Sequence, residues 1–228
     1  ENSALSAVTD ANGDYVLTVP NDTNVTPYIE SGDYTAGQHY NEVDLQTFHP
    51  RGEAIENANF QTPSDPEYNG LKAILSVESR EDGRPAQCAI VTTSSARNVR
   101  GVDYQTFWDN TPHGVAGTTA TEFPALDGPI YFNEFVIPDK TKTESSEDGG
   151  IVWVEVPAGT YRITGSNPNT RFASFLATCA PGRIVNANPP WGMYELAPGE
   201  EPLAASDVAG SVTSAKAVRK GKKARQVK

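Results

Sequence analysis

The stretch that decides the fold runs Asp148-Gly-Gly150-Ile151-Val-Trp-Val-Glu-Val156-Pro157-Ala-Gly159-Thr160-Tyr-Arg-Ile-Thr164. Two glycines supply a turn, and the run that follows is dominated by β-branched and aromatic side chains, the composition a pleated, half-buried strand selects. Pro157-Ala-Gly159 ends that run, and Thr160 begins a second of the same kind. The unit predicts strand, tight turn, strand, with no length left for a helix.

The same grammar occurs near the N-terminus. Asp10-Ala-Asn-Gly13-Asp opens a turn in which Gly supplies a positive φ, Tyr15-Val-Leu-Thr-Val19 reads as a strand, and Pro20-Asn-Asp22 ends it. Asn24-Val-Thr-Pro-Tyr-Ile29 reads as the next strand, closed by Glu30-Ser-Gly-Asp33. At a displacement of 137 positions Gly13 matches Gly150, Val19-Pro20 matches Val156-Pro157 and Thr23 matches Thr160, which reads as an internal repeat. With 37% hydrophobic residues, 19 Gly, 17 Pro and no long apolar stripe at helical period, the chain predicts a mostly β protein of many short strands. Its 228 residues suffice for one large domain or two small ones.

These turns carry a family resemblance. Asp82-Gly83-Arg-Pro85-Ala-Gln-Cys-Ala89-Ile-Val91 resembles the opening of a carboxypeptidase regulatory-like domain, where an Asp-Gly-x-Pro turn leads into a strand with a small residue and then Val. Residues 147–161, ending in Pro157-Ala-Gly159-Thr-Tyr161, are similar to that family's second signature, and Thr9-Asp10-Ala-Asn-Gly13-Asp14-Tyr15 is close to it as well. The resemblance covers about residues 5–35 and 77–180. It implies transthyretin-like or starch-binding-like (Ig-like) antiparallel β-sandwich modules of about seven strands, found as non-catalytic parts of secreted or surface proteins. The expected division is an incomplete module at 1–41, a connector at 42–76, a second sandwich at 77–196 with an insertion at 94–127, and a linker with a basic tail at 197–228. The first module shows only the second signature, so its opening strands are expected upstream of residue 1 and its exposed edge must find a partner.

One or two short helices are expected in connector and insertion. Ser64-Asp-Pro-Glu67 places Ser at an N-cap, Pro in the first turn and Glu at N3, and Tyr68, Leu71 and Leu75 follow at i, i+3 and i+7. Gly70 weakens that helix.

Two cysteines, Cys88 and Cys179, each lie at the edge of a strand-like apolar run and pair in only one way. A bridge between the first and last strands of the second module is expected, and with it an extracellular setting; the alternative is two buried thiols in a reducing compartment. No apolar run reaches the roughly 18 residues that span a bilayer, so no membrane insertion is expected. Residue 1 is Glu, which reads as a processed product or a fragment. The net charge of −11 is uneven: seven of the 18 Lys and Arg lie between Lys216 and Lys228, leaving 11 against 29 acidic residues, a balance of −18. Such a body repels nucleic acid and anionic membranes, and the basic tail reads as a solvated linker or an anchor for an anionic polymer.

Catalytic and metal-binding candidates are few. His39, Asp44 and His49 fall close together without a catalytic spacing, and no His-Glu-x-x-His or Gly-x-Ser-x-Gly occurs. His39, Tyr40, His113 and Tyr131 are the residues that could serve an iron site of the intradiol-dioxygenase kind, which shares the sandwich class, but their spacing departs from it. Asp10-x-Asn12-x-Asp14 opens like a calcium loop, yet Tyr15 and Asn21 stand where Gly and Glu are needed, so a plain turn is favoured. Thr164-Gly165-Ser166 replaces the Glu that self-made isopeptide bonds use in related adhesin repeats. No cofactor is expected. Trp191 and Tyr194, in a Pro-rich loop, and Trp108, in the insertion, are candidates for a sugar-stacking platform, against the alternative that Trp191 is a core lid. The leading expectation is a non-enzymatic structural or interaction module whose partners are neighbouring domains of a parent protein, a polysaccharide or a surface protein. A carbohydrate-binding module is the alternative, and a metal-dependent enzyme of intradiol-dioxygenase-like fold the distant third.

Overall fold

The structure, a computed structural model, describes residues 5–30, 43–110, 112–189, 191–200 and 217–218. It is mostly β, as expected. The elements that matter are β1 (Leu17–Thr18), β2 (Tyr28–Ile29), β3 (Val43–Asp44), α1 (Asp65–Leu75), β4 (Cys88–Thr93), α2 (Tyr104–Asp109), β5 (Thr119–Phe123), β6 (Ile130–Phe132), β7 (Pro138–Asp139), β8 (Gly150–Val156), β9 (Gly159–Ser166), β10 (Phe175–Cys179) and β11 (Ile184–Ala187). A seven-stranded sheet has the order β2-β3-β11-β4-β8-β6-β7 and a three-stranded sheet the order β10-β9-β5, while β1 pairs antiparallel with β12 (Ala217–Val218).

The deciding stretch forms β8, a tight turn and β9, but the two strands separate into different sheets. β8 is buried on both faces. Ile151, Trp153 and Val156 face the three-stranded sheet, where they meet Tyr161 and Ile163 of β9 and Phe175 and Ala177 of β10. Val152 and Val154 face the other way, onto Leu71 and Leu75 of α1. Trp153 and Val156 are three positions apart, so strict alternation would put them on opposite faces. A bulge restores the phase: Cys88 pairs with Val156 and Ile90 with Trp153, and Glu155 takes a φ of 53°. The Glu155 carboxylate accepts the Glu78 N–H at 2.8 Å, which holds this irregular turn of chain.

α1 forms where its capping signature places it. The Glu67 carboxylate accepts the Ser64 N–H at 2.8 Å and the Ser64 hydroxyl at 2.6 Å, and Ser76 ends the helix at a φ of 62°. Its apolar stripe covers the outer face of the large sheet, Tyr68 against Val43, Ala89 and Ile184 and Leu75 against Phe132 and Val152. The Tyr68 hydroxyl and Lys72 Nζ both donate to the Gly83 carbonyl, at 3.1 Å each, and so tie the helix to the Asp-Gly turn before β4.

The N-terminal segment is joined to the large sheet. β2 pairs antiparallel with β3, and β3 runs parallel to β11, which also runs parallel to β4. Arg183 and Asp44, both largely buried, form an ion pair at 3.3 Å with the guanidinium over the Tyr28 ring, so the junction carries a charge-assisted link as well as a ladder. Beside it Tyr15, Val19, Leu45, Phe48, Ile55, Ala58 and Phe60 make a second core. In the Asp10–Asp14 turn the Asp10 carboxylate accepts the N–H groups of Asn12 and Asp14. The stretch read as an insertion, 94–127, supplies both α2 and strand β5.

Cys88 and Cys179 are bonded, with Cα atoms 5.7 Å apart. The expected placement on first and last strands needs correction, because β11 follows the strand of Cys179 and pairs with the strand of Cys88. The bridge instead joins the two sheets, from the start of β4 to the end of β10, with the cysteines only 1% and 4% exposed. In the chain-entropy account a closed loop of this size stabilises by about 4–5 kcal/mol.

Candidate functional site

The loop between β11 and the chain's last described turn carries Trp191 and Tyr194. Gly192 has a φ of 77°, and a Cβ there would lie 1.9 Å from the Ala187 carbonyl oxygen, so only glycine lets the loop fold back on β11. The fold-back is held by the Gly192 N–H, which donates to the Gln46 side chain at 2.6 Å, and by the Trp191 N–H, which donates to the Asn188 carbonyl at 3.1 Å. Met193 then enters the main core.

This geometry sets what each aromatic can do. Trp191 lies edge-on to Phe48, with ring centroids 5.4 Å apart, and its indole N–H donates to the Glu56 carbonyl at 2.9 Å. It packs against the N-terminal core while keeping part of its surface open. Tyr194 is only 4% exposed, beneath the Arg100 guanidinium at 4.2 Å, and burial raises its phenol pKa. Both line a groove of about 100 Å³ together with Gln46, Phe48, His49 and Leu176. Pockets for small molecules are usually several times larger. Trp108 stands elsewhere, 45% exposed on α2 with His113 at 6.4 Å, and does not line that groove.

Measured against protein-family models, curated proteins and solved structures, the chain matches none.

The remaining sequence candidates are held apart. His39, Tyr40 and most of the basic tail lie outside the described residues. The Tyr131 hydroxyl is buried and accepts the Ala120 N–H at 3.0 Å, whereas His113 stacks on Phe107 at 4.5 Å. His49 meets Asn24 at 2.9 Å, and Asp44 serves the ion pair with Arg183. Among the described residues no group of three or more His, Cys, Asp or Glu is placed to hold a metal ion.

One titratable residue, Asp148, escaped the sequence reading. The His113 Nε2 is buried without a hydrogen-bond partner, and Asp148 lies near enough for the imidazole charge to act on its carboxyl. Burial raises the Asp148 pKa, against the opposing pull of the Gly150 N–H and of His113. The only signal for Asp148 in the sequence was its place beside the Gly149-Gly150 turn, which reads as turn chemistry alone.

Two outcomes follow from these environments. Trp191→Ala is expected to cost about 3 kcal/mol in urea unfolding, and Trp108→Ala less than about 0.5 kcal/mol; equal, small effects would contradict the lid role of Trp191. For Asp148 the folded pKa is raised, so its contribution to stability is present below the ordinary value of 3.8 and is lost as pH rises through the folded value. Asp148→Asn keeps an acceptor for the Gly150 N–H and is expected to be more stable than the parent at pH 7, with the difference closing in titrated melts below pH 3.8. A variant less stable at pH 7 would show that the ionised carboxylate is needed.

Proposed function

We propose that this chain is a non-catalytic structural or interaction module of a secreted or cell-surface protein, of the transthyretin-like sandwich kind that its turn signatures resemble. The observation that carries this reading is the Cys88–Cys179 bridge, which joins the two sheets within the main core. A bridge at such a place belongs to a chain that folds where thiols are oxidised. Three features support a module whose work is done at its surface. Three acidic residues hold structure: Asp44 pairs with Arg183, Glu122 accepts the Trp153 indole N–H at 3.0 Å, and Asp148 anchors the turn into β8. The interior is filled from both faces of β8. No helix among the described residues is long and apolar enough to cross a membrane.

The alternative, a sugar platform built from Trp191, Tyr194 and Trp108, has less support. Stacking needs open aromatic faces, and Tyr194 has none while Trp108 is remote from the groove. The protein isolated from its natural source is expected to contain no titratable thiol under denaturing, non-reducing conditions, and to unfold at markedly lower urea after reduction. Two thiols in that material would contradict the extracellular assignment.

A further inference from the structure

The two ends of this chain carry opposite charge, and one ladder joins them. Residues 1–50 hold eight Asp and Glu and no Lys or Arg, whereas residues 216–228 hold seven Lys and Arg and no Asp or Glu. The ladder is the antiparallel pair of β1 and β12, with Leu17 opposite Val218 and Thr18 opposite Ala217. Neither strand joins the two larger sheets. β12 therefore lies within the basic run, between Lys216 and Arg219, and β1 lies within the acidic one, between Asp14 and Asp22. Asp10 is exposed, and one oxygen of the Asp22 carboxylate is buried without a hydrogen-bond partner among the described residues.

We propose that the basic C-terminal tail is the ligand of the acidic N-terminal segment of the same chain, docking along β1 as a detachable strap. The register selects the pairing of charges: antiparallel to β1, the sequence after Val218, with Arg219, Lys220 and Lys222, is directed toward Asp14 and Asp10, and Lys216 toward Asp22. The tether permits docking within one molecule. Residues 201–216, sixteen in all, extend to roughly 50 Å, more than the diameter of a body of this size. A tail so tethered is present at an effective concentration on the order of millimolar, which favours its own β1 over that of a second copy. The strap is also built to release. A ladder of two residue pairs is marginal by itself, and exposed ion pairs weaken as salt rises, so occupancy depends on ionic strength. At low salt the tail is withheld from other anions and the β1 edge from other strands. This inference stands apart from the module reading and needs neither a disulfide nor an extracellular setting.

Cysteine cross-linking in the full chain tests it. The double variant Thr18→Cys, Ala217→Cys places thiols at paired positions, and Thr121→Cys, Ala217→Cys, on the exposed side of the small sheet, is the control. Under mild oxidation in dilute solution, peptide mapping is expected to find the first pair bridged within the monomer much faster than the control. The rate should fall about five-fold between about 0.05 and 0.5 M NaCl, and by a similar factor when Lys220→Glu and Lys222→Glu are added, with circular-dichroism melts confirming that every variant folds. A second reading needs no added cysteine: in Lys220→Glu, Lys222→Glu alone, amide exchange across Leu17 and Thr18 should quicken while that of β8 stays as it was. Bridging no faster than in the control, as a solvated or polymer-bound tail gives, would overturn the proposal. So would bridging found only in dimers, which assigns the tail to a second copy, or rates and exchange indifferent to salt and to the reversed charges.

Discussion

The structure depends on β8 being buried on both faces. A strand so placed must offer apolar side chains in both directions, and β8 does so with Ile151, Trp153 and Val156 toward the small sheet and Val152 and Val154 toward α1. Each neighbouring element can be understood as a response to one of those faces. α1 exists as a helix because Tyr68, Leu71 and Leu75 have an apolar sheet to cover, and its intrinsic propensity, with Pro66 and Gly70 in eleven residues, would not hold it alone. The three-stranded sheet closes the other side, and the bridge between Cys88 and Cys179 pins it there. The bulge at Glu155 reconciles a period of two with the demand that Trp153 and Val156 share a face.

The N-terminal segment follows from the same constraint at the sheet's far end. β11 would otherwise leave an unpaired edge beside buried Ile184 and Val185, and β3 covers it in parallel. Parallel pairing needs a partner distant in sequence, and the Arg183–Asp44 ion pair fixes the register across that distance. The Trp191 loop then closes the seam between the main core and the N-terminal core, with Gln46 and the Glu56 carbonyl as its anchors.

What was legible in the sequence was local. The runs at Cys88-Ala-Ile-Val, Ile151–Val156 and Thr160–Thr164 are strands because their own composition demands it, and the helix at Asp65–Leu75 announced itself through Ser64 and Glu67. The repeat between residues 13–23 and 150–160 described turns correctly and architecture poorly. Its N-terminal copy holds only Leu17–Thr18 as strand, paired with Ala217–Val218 outside the two larger sheets. β5 was hidden within an apparent insertion, since Thr-Ala-Thr-Glu-Phe turns only a small residue, Ala120, and a carboxylate, Glu122, toward the core. Trp191 and Tyr194 looked open among Asn, Pro and Gly, and what covers them, Phe48 and Arg100, is remote in sequence.

The central claim is that both cores form one cooperative unit around β8. Native-state amide exchange tests it most directly, at the N–H groups of Val25, Leu45 and Phe48, which bond to the carbonyls of Phe48, Pro27 and Val25, against those of Ile151 and Val152 in β8. The account predicts that the two sets merge into a single opening with the same free energy and the same dependence on denaturant. Exchange of Val25, Leu45 and Phe48 through a separate, low-energy opening while β8 stays protected would contradict it.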